Sequence, residues 1–152
     1  MIAVVKRVTR AEVRVDDIDF RSSIGPGLCV LLGVEQGDEP EQAAWMAKKL
    51  AHLRIFRDDK GRMNRSVQDV SGEVLLVSQF TLAGDCSKGH RPSFVNAAAP
   101  ELGEKLYEEV ARRIDTDHGV PVRTGVFGAM MDVELVNDGP VTLIVQRPPD
   151  RS

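Results

Sequence analysis

The residues best suited to chemistry follow the most apolar run in the middle of the chain. That run is Val74–Val77, and it leads into Ser78-Gln79-Phe80-Thr81, three hydrogen-bonding side chains around one aromatic ring. An unbroken run of Val and Leu predicts a strand covered on both faces, here Glu73–Leu82. A rigid strand that ends in hydroxyl and amide groups can present them to a ligand. The same residues also satisfy backbone groups at ordinary strand ends, so both interpretations stay open.

A charged loop, residues 83–92, comes directly after this segment. It carries Lys88 and Arg91 together with Gly84 and Gly89. Loops held by a rigid strand often reach over a ligand. Because the formal net charge of the whole chain is −3, a polyanion can bind only at a local basic patch such as this one.

A second signal lies near the C-terminus, in Asn137-Asp138-Gly139-Pro140. An Asn-Asp-Gly run between two predicted strands indicates a hairpin turn. Pro140 cannot donate a hydrogen bond to the sheet, and the bond before it is a candidate for the cis form. A cis Gly-Pro unit would turn both neighbouring carbonyl oxygens outward, which suits the binding of an ammonium group. An ordinary tight turn is the alternative.

Size and composition exclude several classes of protein. The 152 residues are 42% hydrophobic and 28% charged, as expected for one globular domain. No apolar run reaches the roughly 18 residues of a membrane span, and the N-terminus lacks the layout of a signal peptide. Cys29 lies in an apolar run and Cys86 in a polar loop, and the three histidines are scattered. We therefore expect an intracellular protein with a reduced, buried Cys29, no metal and no cofactor.

Periodicity predicts about eight strands and two helices. The first helix begins after Asp38, a candidate cap, and the second begins at Pro100. The segment Val120–Thr124 contains Pro121 and is predicted to be an edge strand. The remaining predicted strands include residues 2–8, 11–15, 28–34 and 141–146. The expected fold is α+β: a curved, mostly antiparallel sheet or open barrel with two helices packed on it. It forms one domain over residues 1–147, followed by a polar tail at residues 148–152.

Four motifs in order make the chain recognisable. Taken together they resemble the bacterial D-aminoacyl-tRNA deacylases, and the resemblance covers residues 2–146. The motifs are Ser78-Gln79-Phe80-Thr81-Leu82, Arg91-Pro92-Ser93-Phe94, Thr124-Gly125-Val126-Phe127 and Asn137-Asp138-Gly139-Pro140-Val141-Thr142. The resemblance implies a cytoplasmic homodimer that cleaves the ester between a D-amino acid and the 3′ end of tRNA. It also implies removal of glycine mischarged onto alanine tRNA.

The resemblance assigns roles to two groups of residues. Ser78, Gln79, Phe80 and Thr81 match the family's catalytic motif. Gly139 and Pro140 match a Gly-cisPro motif that reaches into the partner subunit's active site. There its two carbonyl oxygens hold the substrate's amino group and leave no room for an L side chain.

Further residues match positions around the nucleic acid. Phe127 and Met131 correspond to the pocket for the terminal adenosine, although Phe127 can also be read as plain core. Lys88 and Arg91 are expected to face the phosphates of the acceptor stem. The loop around these two cations varies among members of the family.

The chemistry of the ester predicts a mechanism without a strong nucleophile. An aminoacyl ester is already activated, so water can attack once the carbonyl is fixed and its oxyanion receives hydrogen bonds. The backbone amides of Phe80 and Thr81 are the candidate donors, and the ribose 2′-hydroxyl could help to move the proton. A covalent Thr81 is the rival hypothesis. A nucleic-acid-binding dimer without catalysis and a general small-ester hydrolase are the alternative functions.

Overall fold

The computed structural model describes residues 1–150 and contains a strongly curved sheet with two α-helices against one face. Residues 151 and 152, the end of the predicted tail, lie outside the described residues. The elements are β1 (Ile2–Val15), β2 (Phe20–Ile24), β3 (Gly27–Gly33), α1 (Pro40–His52), β4 (Phe56–Arg57), β5 (Met63–Arg65), β6 (Glu73–Ser78), α2 (Pro100–Thr116), β7 (Val122–Thr124) and β8 (Asp132–Gln146). Over the range that the structure describes, neither helix is long and apolar enough to cross a membrane.

The sheet is organised around β1, the strand with the most partners. It pairs antiparallel with β2, β3 and β8, whereas β3–β6 and β6–β7 are parallel pairs. The main path runs β2-β1-β3-β6-β7. This order places β7 at an edge, as predicted from Pro121, although the strand begins only after that proline. The predicted α+β class and the mostly antiparallel sheet are confirmed: in residues 1–150, three of the five strand pairs of this sheet are antiparallel and two are parallel.

The central strands β3 and β6 are buried on both faces, as their unbroken apolar sequences predict. Leu28, Val30 and Leu32 of β3 face the helices, and Cys29 faces the inside of the curled sheet. Burial raises the pKa of the Cys29 thiol to about 11, so the thiol stays protonated near neutral pH. The predicted buried free Cys29 is confirmed.

Two local predictions are wrong near the N-terminus. Residues 2–8 and 11–15 were predicted as two strands, but they form one strand because β8 pairs along both parts. The pairing of β1 with β8 changes register on either side of Val8. Asp38 does not cap α1; Glu39 does so, in a capping box with Gln42. The Asp38 carboxylate is buried and instead accepts a hydrogen bond of 2.8 Å from the Met1 ammonium group.

Candidate active site

The predicted strand Glu73–Leu82 ends at Ser78, and a single 3₁₀ turn over Phe80–Ala83 follows it. The turn lies directly against β3: the N–H of Gln79 donates to the carbonyl of Leu32 at 2.8 Å. A Cβ at Gly33 would lie 3.0 Å from the carbonyl oxygen of Gln79, so glycine favours this close approach. The extended pattern is therefore broken by tertiary packing that local sequence does not encode.

This turn leaves two backbone donors unused. Within residues 1–150, no backbone or side-chain acceptor takes the N–H of Phe80 or of Thr81. The first amides of a helical turn have no partner inside the turn. Both residues are exposed and both line the same cavity. The Phe80 ring is held by an edge contact with Phe94, at 5.3 Å between ring centroids.

The cavity beside these amides has a volume of about 640 Å³. Ser78, Gln79, Phe80 and Thr81 form its polar wall, and Phe127 and Met131 belong to its apolar wall. None of the described residues that line it is acidic, basic or a histidine. The structure thus brings six predicted site residues together around a cavity to which residues 1–150 contribute no ionisable side chain.

The apolar wall is fixed by two close contacts. The Phe127 ring packs 6.0 Å from the Tyr107 ring, and a Cβ at Gly103 would lie 3.4 Å from Phe127. Gly103 was not among the predicted site residues, although a glycine inside a helix is a signal of close approach because it costs helix stability. Ala98 and Pro100, next to the start of α2, also line the cavity and carried no sequence signal.

Tyr107 connects the helix α2 to the strand that carries the polar wall. Its hydroxyl donates a hydrogen bond of 2.6 Å to the carbonyl of Leu76, and burial raises its pKa to about 12.

We expect Tyr107→Phe to lower the free energy of unfolding by about 1–3 kcal/mol, because it leaves a buried carbonyl without its partner. Urea denaturation measures this change, and an unaltered midpoint would contradict the expected contribution of the hydrogen bond.

Gly139 and Pro140 lie elsewhere, in a bulge and not in the predicted hairpin turn. Both halves of β8 run in the same direction along β1: Asn137 pairs with Val8 and Thr142 with Lys6, so the residues between them loop out. The Asn137 amide closes the base of the bulge with hydrogen bonds to the carbonyls of Arg7 (2.9 Å) and Val141 (3.0 Å). The Gly139–Pro140 peptide bond is cis.

The bulge is anchored by the buried Arg7. Its Nη1 donates to the carbonyl of Ile55 at 2.6 Å, and its Nε lies 3.2 Å from the Asp138 carboxylate. The contact between Arg7 Nε and Asp138 is an ion pair by distance, but its geometry is not that of a hydrogen bond. Gly139 and Pro140 are exposed and do not line the cavity of their own chain. The predicted site is therefore divided between two places on the molecule.

Lys88 and Arg91 are exposed on a loop whose base is closed by two backbone hydrogen bonds. The pair joins Asp85 and Ser93, at 2.7 Å and 2.9 Å. Neither cation lines the cavity, although Phe94 at the end of the loop contacts Phe80 on its rim. The two cations lie outside the lining of the cavity, and their role stays a prediction.

Comparison with known proteins gives consistent matches over nearly the whole chain. The family model described as D-Tyr-tRNA(Tyr) deacylase matches residues 4–146. A D-aminoacyl-tRNA deacylase of Desulfatibacillum aliphaticivorans is 57% identical, over 96% of this chain and 99% of the relative. One of Syntrophotalea carbinolica is 55% identical, over 95% and 96%.

Two solved structures are similar to the fold. One, titled c-Myc DNA Unwinding Element Binding Protein, has a TM-score of 0.90 and 40% identity, with 97% of this chain and 99% of that chain covered. The other is titled as a probable eukaryotic D-amino acid tRNA deacylase, with a TM-score of 0.80 over 95% of this chain and 97% of that one. Its 19% identity supports a shared fold alone.

Proposed function

Because this chain belongs to the D-Tyr-tRNA(Tyr) deacylase family, we propose that its cavity is where D-aminoacyl-tRNA is hydrolysed to tRNA and free D-amino acid. The observation that supports this assignment is a pair of backbone amides, at Phe80 and Thr81, that no acceptor within residues 1–150 uses. They lie at the edge of a cavity whose described lining has no ionisable side chain. Such a cavity suits a substrate that is already activated and needs no nucleophilic or basic side chain from the protein. An aminoacyl ester is such a substrate.

The mechanism follows from where charge develops. When water attacks the ester carbonyl, negative charge grows on its oxygen, and fixed N–H donors stabilise that charge by roughly 3–4 kcal/mol each. The amides of Phe80 and Thr81 supply these donors without reorganisation, because β3 holds the turn in place. Among residues 1–150, no side chain on the cavity wall is a base that can take the proton from the water, so the vicinal 2′-hydroxyl of the ribose relays that proton to the departing 3′-oxygen. Phe127 and Met131 hold the terminal adenosine.

Thr81 has the wrong surroundings for a nucleophile. Its Oγ1 accepts a hydrogen bond of 2.7 Å from the Gln79 side-chain amide, which donates and cannot remove a proton. We expect Thr81→Ala to retain at least about one-tenth of wild-type kcat, because the substitution leaves the backbone N–H in place. Single-turnover deacylation of D-tyrosyl-tRNA measures this. A loss beyond about 1,000-fold in correctly folded protein would instead identify Thr81 as the nucleophile.

The chiral filter is assigned to Gly139 and Pro140 of a second copy of the chain. Both residues are exposed and neither lines the cavity of its own chain, which supports a role in a partner's site. The two carbonyl oxygens accept hydrogen bonds from the substrate ammonium group and leave no room for an L side chain. Exclusion at the backbone works for every side chain, so one site serves many D-amino acids. Glycine has no side chain to exclude, and glycine mischarged onto alanine tRNA is accepted.

A homodimer follows from this assignment, and β8 offers a surface for it. Within residues 1–150 this strand pairs only with β1, so its other edge is free. Apolar side chains along it are exposed, among them Ile144 at 72%, Val136 at 41% and Leu143 at 38%. A long, free and apolar strand edge is a surface that proteins normally cover. We place the enzyme in the cytoplasm, where its substrate occurs.

The test compares hydrolysis of D-tyrosyl-tRNA, L-tyrosyl-tRNA and glycyl-tRNA(Ala) by the purified protein. We expect rapid loss of the D and glycyl esters, with the L ester spared. If both enantiomers are cleaved at similar rates, hydrolysis stands and the chiral filter is wrong. If no ester is cleaved by folded, dimeric protein, the deacylase assignment of the cavity is wrong.

The second candidate is a dimer that binds nucleic acid without catalysis. The observation in its favour is the 40%-identical structure whose title names a DNA-binding protein. The unused amides of Phe80 and Thr81 count against it, because a pure binder has no need of an oxyanion site. Binding of unacylated tRNA and DNA by protein that leaves all three esters intact would favour this candidate.

A further inference from the structure

The β4–β5 hairpin, residues 54–65, which we call the basic hairpin, is a strongly basic segment of this acidic chain. It contains five basic side chains and two acidic ones, while the whole chain has a net charge of −3. The basic side chains are Arg54, Arg57, Lys60, Arg62 and Arg65. A polyanion that approaches this protein is attracted to such local surfaces and repelled by most of the rest.

Both acidic side chains of the basic hairpin are used inside it. The Asp58 carboxylate accepts hydrogen bonds from the N–H groups of Lys60 (2.9 Å) and Arg62 (3.0 Å), which lowers its pKa. Asp59 pairs with Arg65 at 2.8 Å. Lys60 and Arg62 are exposed, and neither side chain has an ion-pair partner among residues 1–150. The tip is therefore an ordered turn that presents two free cations.

The basic hairpin is attached to the bulge that carries Gly139. The Arg57 guanidinium lies 3.3 Å from the Asp138 carboxylate, and the same carboxylate lies 3.2 Å from Arg7 Nε. Arg7 also donates to the carbonyl of Ile55 at the base of the hairpin. Asp138 directly precedes Gly139 in the chain. The base of the basic hairpin and the residue that precedes Gly139 are therefore held together within one subunit.

We propose that the basic hairpin binds the phosphates near the 3′ end of the tRNA whose terminal adenosine occupies the partner subunit's cavity. This inference rests on the proposed function. Lys60 and Arg62 contact the RNA backbone, whereas Arg57 positions the hairpin against the bulge. Each subunit then supplies both the chiral filter and a phosphate contact to its partner, so the tRNA end and the amino acid are held by one rigid unit.

The first experiment is the double substitution Lys60→Glu/Arg62→Glu. We expect KM for D-tyrosyl-tRNA to rise at least about 10-fold with kcat changed less than about 2-fold, and the slope of log KM against log salt to fall by about 2. The matched control is Lys48→Glu/Lys105→Glu, which changes the net charge equally at two exposed helix positions. An equal rise in KM in the control, or no rise in the hairpin variant, would overturn the proposal.

A substrate without phosphates separates this proposal from the function on which it rests. We expect the hairpin variant and the wild type to hydrolyse 3′-O-D-tyrosyl-adenosine at the same rate. A slower variant would mean that the hairpin acts on the cavity itself and would overturn the phosphate contact. A wild type that hydrolyses neither this ester nor D-tyrosyl-tRNA would contradict the proposed function.

Mixed dimers test which subunit's hairpin serves which cavity. The first subunit has an intact hairpin, but its cavity is filled beside Phe127 by Gly103→Leu. The second subunit has an intact cavity and carries the hairpin substitutions Lys60→Glu/Arg62→Glu. If the hairpin of one subunit contacts the tRNA in the cavity of the other, the intact cavity of the second subunit receives the intact hairpin of the first. That cavity then shows the wild-type KM. A raised KM, or a failure of the chain to dimerise, would overturn the contact in trans.

Discussion

Gly139→Ala is expected to reduce kcat/KM for D-tyrosyl-tRNA about 100-fold, because a shift of about 1 Å in groups that position a substrate costs that much. Gly139 has φ of +120°, a conformation that L residues rarely adopt. An added Cβ would also lie 3.0 Å from Arg7 Nη2 and 3.0 Å from a methyl group of Val141. The bulge must therefore move, and the two carbonyl oxygens proposed to hold the ammonium group move with it.

The control for this substitution is Gly119→Ala, at the end of α2. Gly119 also has a positive φ, +67°, and a Cβ there meets nothing within 4 Å. It therefore tests an alanine at positive φ without touching the bulge, and its deacylation rates should stay at wild-type values. Rates for the D and L esters are compared at equal concentrations of dimer. A Gly139→Ala protein with wild-type activity and wild-type discrimination between enantiomers would rule out the proposed filter.

The bulge illustrates where sequence patterns stop being informative. Asn137-Asp138-Gly139 favours a change of chain direction, and both a hairpin turn and a bulge satisfy that preference. The choice between them is made by β1, which is long enough to pair with β8 on both sides of the interruption. The Arg7 carbonyl, which receives the Asn137 amide, is 130 residues away in the chain. No local pattern contains that information.

Most of the helices and strands were predictable from the sequence. In β3 and β6, for example, burial of both faces produces an unbroken run of apolar residues. The end of β6 was not. Phe80 and Leu82 alternate with Thr81 as in a strand, yet contact with Gly33 turns them into a 3₁₀ helix. The candidate site was identified through the order of its motifs. Its cavity could not be derived, because Phe127, Met131 and Gly103 come together only when α2 packs against the sheet.

Phe80→Pro is expected to lower kcat for D-tyrosyl-tRNA by about 100- to 1,000-fold, the loss typical when one oxyanion donor is removed. Proline has no N–H, and the first position of a helical turn is where the backbone tolerates it. Gln79, the residue before it, has φ of −144° and ψ of 86°, outside the helical region that a following proline disfavours. No hydrogen bond within residues 1–150 uses the Phe80 N–H, so the fold should survive its removal.

The matched variant is Phe80→Ala, which also removes the ring and its contact with Phe94 but keeps the N–H. The ratio of kcat between the alanine and proline variants therefore isolates the backbone donor from the side chain. Single-turnover rates at saturating enzyme measure it, with circular dichroism and dimer content as checks on folding. If the two variants deacylate D-tyrosyl-tRNA equally fast, the Phe80 amide does not bind the oxyanion. Stabilisation of the transition state would then have to come from Thr81 or from the RNA itself.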